Sequence, residues 1–309
     1  MLVTTVLLAV LGVVLLVSGL GAADFAARSA PAAGCVADTP VCSAYRMEMN
    51  ERMYSVGELL GWLTLLAPAL IGAFWGAPLL AREYEHGTHQ LTWTQSVTRR
   101  RWLATKIVAL GAAVTLGGLV LAGIVEQWLA AFDVPPYNVD RFDLTWFRLV
   151  GIMPAAWWLS AFVLGMATGA LFRRTLPAMA VTLAVCGLAF FGLLRAPSSY
   201  APPERVVQAA VVDELEPEGA LHVNSYWIDR SGTQYTSQQA ELALAGPCGT
   251  DESTMKYAKC TFSHGYRLVA EYHPANRFWQ FQWTEAGILL IPALAMGGVA
   301  VRRTLRPRI

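Results

Sequence analysis

Cysteine is the residue type whose spacing in this sequence first suggests chemistry. The 309-residue chain has five cysteines: Cys35 and Cys42 form one local couple, Cys248 and Cys260 form another, and Cys186 stands apart. Four cysteines allow three pairings, and we favour the two local ones. Because neither a CxxC spacing nor a Cys/His zinc pattern occurs, the sequence predicts disulfides rather than a metal site.

Motifs for soluble catalysis and for nucleotide binding are absent from the chain. None of the patterns GxxxxGK[ST], HExxH, GxSxG and GxGxxG occurs. The chain therefore has no P-loop for ATP, and energy from a nucleotide must arrive through a partner. Three histidines without ligand spacing are interpreted as surface or packing residues: His222, His264 and His273.

The elements that must position these residues are set by an unusually apolar composition. Apolar residues make up 55% of the chain, charged residues only 15%, and the mean hydropathy is +0.42, which indicates a lipid environment. Runs long enough to cross a bilayer of about 30 Å occur at 2–23, 59–81, 107–129, 150–172, 177–194 and 286–301. The predicted fold is an all-α integral membrane protein with six transmembrane helices and a small mixed α/β extracytoplasmic domain between the fifth and sixth.

The first and last runs each need a further argument. A signal peptide is the alternative for the first run. However, the run lacks a basic n-region and is longer than the apolar region of a signal peptide, so we interpret it as a span. The last is short, and aromatic residues at a headgroup boundary would lengthen it.

Basic residues predict the orientation, because they are retained on the cytoplasmic side of a membrane. With the N-terminus inside, segments 82–106, 173–176 and 302–309 hold 11 of the 23 basic residues. Only Glu83 and Glu85 oppose them, so this face has a net charge of +9 and the remainder −8. We therefore predict a multi-pass protein of the bacterial plasma membrane with both termini cytoplasmic.

The predicted domains follow from this topology. Residues 1–194 hold five spans and the cytoplasmic loop 82–106, residues 195–285 form the outside domain, and residues 286–309 form the sixth span and a basic tail. Within the outside domain, 205–214 reads as an amphipathic helix. Residues 221–227 and 266–272 read as strands, with a hairpin turn at Ser231-Gly232 before Tyr235.

The spans lack the ionisable groups that ion-coupled transport would need. Glu126 is the only acid within a predicted span, and it falls near the outer boundary, where Arg148 or Arg195 is a possible partner. Ala161, Gly165 and Gly169 have a four-residue spacing, which suits close packing of helices. We favour packing within the chain over a dimer face.

The loop 82–106 is the most specific stretch of the sequence, REYEHGTHQLTWTQSVTRRRWLATK. Gly87 breaks a continuous helix, which predicts a short element at 83–86 and a new helix capped near Ser96 or Thr98. Arg99, Arg100 and Arg101 would stand in its first turn, where the helix dipole disfavours them. Anionic headgroups are a sufficient explanation for these arginines.

Three segments of the chain carry a resemblance to a known family. The loop resembles the signature after the second span in permeases of the type-2 ABC exporter class, and is closest to a drug-export-like subgroup common in actinobacteria. The segments 226–235 (YWIDRSGTQY) and 272–282 (YHPANRFWQFQ) resemble that subgroup too. The resemblance implies that the loop couples the permease to an ATPase through Glu83, Glu85, Gly87, Thr88, Gln95, Ser96, Arg99, Arg100, Arg101, Trp102 and Lys106.

The resemblance also implies the partners. Two cytosolic ABC ATPase subunits would bind ATP and Mg²⁺, which this chain does not, and a second permease copy or a paralogue would complete a twelve-helix unit; no nucleic acid is involved. Such permeases usually begin with a cytoplasmic amphipathic segment, whereas Met1 opens directly into apolar sequence. Either the start is truncated or this connecting helix is lacking.

Four aromatic residues precede the sixth span: Phe278, Trp279, Phe281 and Trp283. We interpret them as interfacial anchors, with a gate for the substrate as the alternative. The leading function is a permease subunit of an ATP-driven exporter, without enzymatic activity of its own. The alternative is a membrane sensor or immunity protein whose outside domain binds a ligand, while a membrane-bound enzyme lacks any catalytic constellation.

Overall fold

The computed structural model describes residues 2–33, 40–85, 99–132, 141–143, 146–208, 217, 219–248 and 254–305. It divides into two compact units. The first comprises Met1–Leu194 and Gln282–Ile309, and the second comprises Arg195–Phe281. The first unit is helical, and the second holds a four-stranded sheet.

Among the described residues, seven helices lie wholly or mainly in the first unit. They are α1 (Leu2–Ala33), α2 (Pro40–Ile71), α3 (Ala77–Glu85), α4 (Arg99–Phe132), α5 (Met153–Phe172), α6 (Thr175–Leu193) and α9 (Phe278–Leu305), with a π-helical turn at Gly72–Gly76 between α2 and α3. Because α2, the turn and α3 are continuous, the described residues contain six helices long and apolar enough to cross a membrane. This agrees with the six predicted spans.

The segment 24–58 between the first two predicted spans, which the spacing of the spans predicts to be an outside loop, is instead helical over most of its length. Helix α1 continues to Ala33, and α2 already begins at Pro40. The continuous helix Pro40–Glu85 has 46 residues, about 69 Å at 1.5 Å per residue and twice what a bilayer core needs. Its polar start is favourable as helix because Arg52 pairs with Glu48 one turn away, at 2.7 Å.

Helix α5 lies at the centre of the first unit, and small residues allow its backbone to pack closely against the neighbouring helix. A Cβ on Gly72 would lie 2.7 Å from the carbonyl oxygen of Ala161. Side chains on Gly165 and Gly169 would overlap the backbone at Gly72 and Ala77. The four-residue spacing therefore packs the fourth span against the second within the chain, as predicted.

The second unit is built on an antiparallel sheet of order β1-β4-β2-β3. Its strands are β1 (Glu204–Gln208), β2 (Leu221–Ile228), β3 (Gln234–Tyr235) and β4 (Arg267–His273), accompanied by helices α7 (Ser237–Cys248) and α8 (Thr254–Ser263). The predicted strands and hairpin are confirmed. The helix predicted over 205–214 is wrong at its start, because Glu204–Gln208 pairs with β4 as a strand.

The turn between β2 and β3 is held by one carboxylate. Asp229 Oδ1 accepts hydrogen bonds from the backbone N–H groups of Ser231 and Thr233 and from the Ser231 hydroxyl. Because a hydroxyl and backbone amides donate to the ionised carboxylate, the pKa of Asp229 lies below its ordinary value. This Asx-type turn explains why the sequence signal for the hairpin was reliable.

Helix α9 begins eight residues before the predicted sixth span. A 3₁₀ turn at Ala275–Arg277 follows Pro274, and the helix runs from Phe278 to Leu305. The apolar run predicted from residue 286 is shorter than this helix because the criterion of an uncharged run excluded Glu285, and the helix includes the aromatic residues that were expected to lengthen it. That acid lies inside the helix and is fully buried.

Candidate functional site

The ends of the predicted coupling loop are fixed to three helices. The Lys106 Nζ on α4 lies 2.6 Å from Glu83 Oε1 on α3, with Glu83 more buried than Lys106. The Arg173 guanidinium lies over the Tyr84 ring at 5.4 Å. These contacts, together with those of Glu85, hold the boundary of the segment 86–98, and we call them the loop-anchor contacts.

Glu85 caps a helix other than its own. Its Oε2 accepts hydrogen bonds from the Thr175 hydroxyl at 2.6 Å and from the Thr175 backbone N–H at 3.3 Å. Thr175 is the first residue of α6, where unsatisfied N–H groups and the helix dipole favour a negative charge. Arg173, which ends α5, has a positive φ of 55°, so the chain reverses sharply just before this cap.

The other predicted coupling residues lie in three groups relative to the described part of the chain. Arg101 is exposed near the start of α4. The backbone of Arg99, Arg100 and Trp102 is helical, but their side chains lie outside the described residues. Gly87, Thr88, Gln95 and Ser96 lie outside the described residues altogether. The coupling role of these residues stays a prediction.

A second group of polar side chains is buried in the first unit. Arg148 Nε donates to Glu285 Oε1 at 2.9 Å, and the side chains are only 3% and 0% exposed. Arg148 Nη2 also donates to the carbonyl of Leu193 at the end of α6. Trp157 Nε1 on α5 donates to the same Glu285 oxygen at 3.3 Å. One ion pair thus joins α5, α6 and α9.

Gln282 and Glu126 extend this buried polar cluster to the chain just before α5. Gln282 Nε2 donates to the carbonyl of Phe147 at 2.8 Å, and its Oε1 accepts from the N–H of Ile152 at 3.1 Å. Glu126 Oε1 accepts from the N–H of Gly151 at 2.8 Å. Gly151 has a φ of +63°, and a Cβ there would lie 2.7 Å from the Gln282 amide oxygen, so glycine is required on two grounds.

Of the two partners considered for Glu126, Arg148 pairs with Glu285 instead, and a pairing with Arg195 stays a prediction. Sequence reasoning missed the cluster because it assigned Glu285 to a loop. The signal was present: Gln282 and Glu285 are three residues apart and share a helix face if the helix starts earlier. Gln282, Glu126 and Arg148 form hydrogen bonds with backbone amides and carbonyls at the helix ends, and Glu285 pairs with Arg148.

The four aromatic residues before the sixth span divide into two environments. Trp279 and Trp283 are exposed, at 54% and 65%, and stand one turn apart on α9. Phe281 is fully buried, and its ring centroid lies 4.9 Å from that of His273 and 5.5 Å from that of Tyr200. The tryptophans suit an interfacial anchor, whereas Phe281 is a packing residue. Phe278 is half-buried, and the gate alternative stays a prediction.

His264 lies beside the second cysteine couple. The Sγ atoms of Cys248 and Cys260 are bonded at 2.00 Å, and His264 Nδ1 lies 3.6 Å from Cys260 Sγ. These three residues have the ligand types of a metal site, but a metal binds thiolates, and disulfide sulfurs are not thiolates. Cys42 is also disulfide-bonded, whereas Cys35 lies outside the described residues. Cys186 is free and buried.

The comparison with protein families agrees with this architecture. The profile of the ABC-2 membrane transporter related family matches residues 5–195, which include the first five spans, the loop 82–106 and Arg148. The chain therefore belongs to the ABC-2 membrane transporter related family, and it is a multi-pass membrane protein, the permease component of a transporter. Membership implies work with an ATPase subunit and does not favour the sensor alternative. No curated protein and no solved structure matches the chain.

Proposed function

We propose that this chain is the permease subunit of an ATP-driven ABC exporter of the drug-export-like subgroup. Its six helices line the path of the exported compound in the bacterial plasma membrane. Two cytosolic ATPase subunits bind ATP and Mg²⁺ and act on the loop 82–106. A second permease copy or a paralogue completes the unit, and both termini face the cytosol.

The observation that carries this proposal is the family match over residues 5–195, because it includes the whole coupling loop. The loop-anchor contacts support the proposal because they connect the loop to helices of the first unit. A push on the segment between Glu85 and Arg99 would reach α3, α4 and α6 through Glu83–Lys106 and Glu85–Thr175. These contacts are short and polar, so they transmit displacement of the loop to three spanning helices.

The charge distribution supports the proposed orientation. In this orientation the loop, the turn at Arg173–Arg174 and the C-terminal tail share the basic cytoplasmic face. The sheet, the exposed tryptophans of α9 and the Cys248–Cys260 pair then lie outside, where disulfides persist. Peptide mapping under non-reducing conditions tests the pairs Cys35–Cys42 and Cys248–Cys260. Isolation of a peptide that joins the two couples would contradict them.

Affinity purification of the tagged chain in mild detergent tests the proposed partner. We expect an ATP-binding subunit to co-purify, ATP hydrolysis in the complex, and none in the chain alone. Co-purification of a histidine kinase instead would contradict the proposal and favour signalling. The matched control is a chain that lacks residues 86–98, which should still insert into the membrane but lose the ATPase.

A further inference from the structure

A cavity of about 650 Å³ opens between α2, the chain around residue 146 and the end of α6 in the first unit. This volume lies in the range of small-molecule sites. Five aromatic side chains line it: Tyr54, Trp62, Trp146, Phe190 and Phe191. Three polar side chains lie among them: Asn50, Glu58 and Asp143. All the charge in the lining is therefore negative.

Two glycines on one face of α2 make room for this cavity. A Cβ on Gly57 would lie 3.0 Å from the Trp146 ring, so glycine lets the indole approach the helix. A Cβ on Gly61, one turn further on, would meet nothing within 4 Å. Because Gly61 lines the cavity and faces open space, a larger side chain there fills the cavity without displacing a neighbour.

The chemistry of the lining selects one class of ligand. Aromatic faces attract cations through their quadrupole, and they also provide apolar area for organic groups. The carboxylates of Glu58 and Asp143 favour a positive charge and repel an anion. We propose that this cavity binds a hydrophobic organic cation, with its charge near Glu58 and its apolar groups against Trp62, Trp146 and Phe191.

This inference rests on the proposed export function, because it names the substrate class of that transporter. Under the proposed topology, Glu58 lies just before the second predicted span, Asp143 lies in a turn before the fourth, and Phe191 lies near the outer end of α6. The cavity would then hold the compound late in its passage, close to release. Its single-sign charge also explains selectivity, since a neutral compound of equal size gains the apolar contacts but not the attraction.

Binding of tetraphenylphosphonium, with tetraphenylborate as the anion of nearly the same shape, tests the inference. The full chain, together with whatever ATPase co-purifies, is placed in lipid nanodiscs without nucleotide, and binding is measured by equilibrium dialysis. We expect saturable binding of the cation and none of the anion above that of empty nanodiscs. Equal binding of both ions would overturn the proposal, because it would show partition into lipid or an uncharged site.

Two pairs of variants locate the bound cation. Gly61→Leu should abolish binding, whereas the control Gly187→Leu should leave it unchanged, since Gly187 also faces open space but does not line the cavity. Glu58→Gln should weaken binding about tenfold through loss of one carboxylate. The control Glu51→Gln, on the same helix but outside the lining, should not. Unchanged binding in Gly61→Leu would overturn the site. Loss of permease dimers in this variant would also overturn it, because the cavity would then be an interface between copies.

Failure of this inference is distinguishable from failure of the export function. ATP-dependent efflux of another compound without tetraphenylphosphonium binding would contradict the substrate class and leave the exporter standing. Saturable binding that Gly61→Leu abolishes, with no ATPase in the complex, would leave the cation site standing and contradict the exporter.

Discussion

The buried polar cluster and the loop-anchor contacts both join helix ends, but the first is buried and the second is partly exposed. The Arg148–Glu285 pair is almost inaccessible, at 3% and 0% exposure, whereas the Lys106–Glu83 pair is 41% and 19% exposed. Removal of one partner from a buried pair leaves an unpaired charge and costs several kcal/mol. Exposed pairs contribute about 0–1 kcal/mol.

This difference assigns the two regions different parts in a moving protein. In the buried cluster, Trp157 donates to Glu285 and Arg148 donates to the Leu193 carbonyl, while Gln282 bonds the backbone of Phe147 and Ile152. We therefore expect the cluster to stay intact in every state of the transport cycle. The loop-anchor contacts cost little to break and reform. They are therefore suited to a surface on which a partner pushes and from which it withdraws.

The largest expected effect is that of Arg148→Met. It leaves Glu285 buried without its cation and should lower the free energy of unfolding by about 3–5 kcal/mol. The measurement is the denaturation of the purified protein in detergent. The double variant Arg148→Met/Glu285→Leu should recover most of the loss, because it removes both charges. A double variant as unstable as the single one would show that the pair is not the source of the cost.

A smaller loss is expected where the fourth and second spans touch. Gly165→Ala places a methyl group against the backbone at Gly72 and should cost about 1–3 kcal/mol through overpacking. The matched control is Gly187→Ala, whose Cβ meets nothing within 4 Å. It should be neutral or stabilising by up to about 1 kcal/mol, since alanine favours helix. Equal effects in the same denaturation assay would contradict the close packing.

The sequence predicts the elements of this protein better than the contacts between them. Hydropathy identifies the six spans because each must cover a bilayer. Ser231 and Gly232 identify the hairpin because the turn is held locally, by hydrogen bonds to Asp229. The extensions of α1 and α2 beyond the spans were missed, because charged residues at 40–58 read as loop although local pairs such as Arg52–Glu48 stabilise helix there.

The contacts of the candidate sites could be predicted only in part, because they join distant residues. Arg148 and Glu285 are 137 positions apart, and Glu85 and Thr175 are 90 apart. A single sequence gives the residue types but not these distances. The loop 82–106 was predicted to be the coupling loop from its resemblance to a family, whereas the partners of Glu83 and Glu85 within the chain were not predicted.

Charge exchange at Glu83 and Lys106 separates anchoring of the loop from direct contact with the ATPase. Glu83→Lys should change the free energy of unfolding by less than about 1 kcal/mol but greatly reduce ATP-driven export, measured as efflux from vesicles that contain the complex. Glu83→Lys/Lys106→Glu restores an ion pair of opposite direction. Recovery of export in this double variant indicates that the pair positions the loop. Continued loss with the ATPase still bound indicates that Glu83 itself contacts the partner.

The smallest expected effect is at the cap of α6. Glu85→Gln keeps an acceptor for the Thr175 hydroxyl but removes the charge that the helix dipole favours, so it should cost about 0.3–1 kcal/mol. Thr175→Val keeps the charge and the backbone N–H and removes only the hydroxyl contact at 2.6 Å. If the cap acts mainly through the dipole, high salt should lower the free energy of unfolding of the wild type more than that of Glu85→Gln. Salt screens the exposed charge of Glu85, which the variant lacks. Equal salt dependence of unfolding in the two proteins would contradict an electrostatic cap. The contact would then join α3 to α6 through its hydrogen bonds alone.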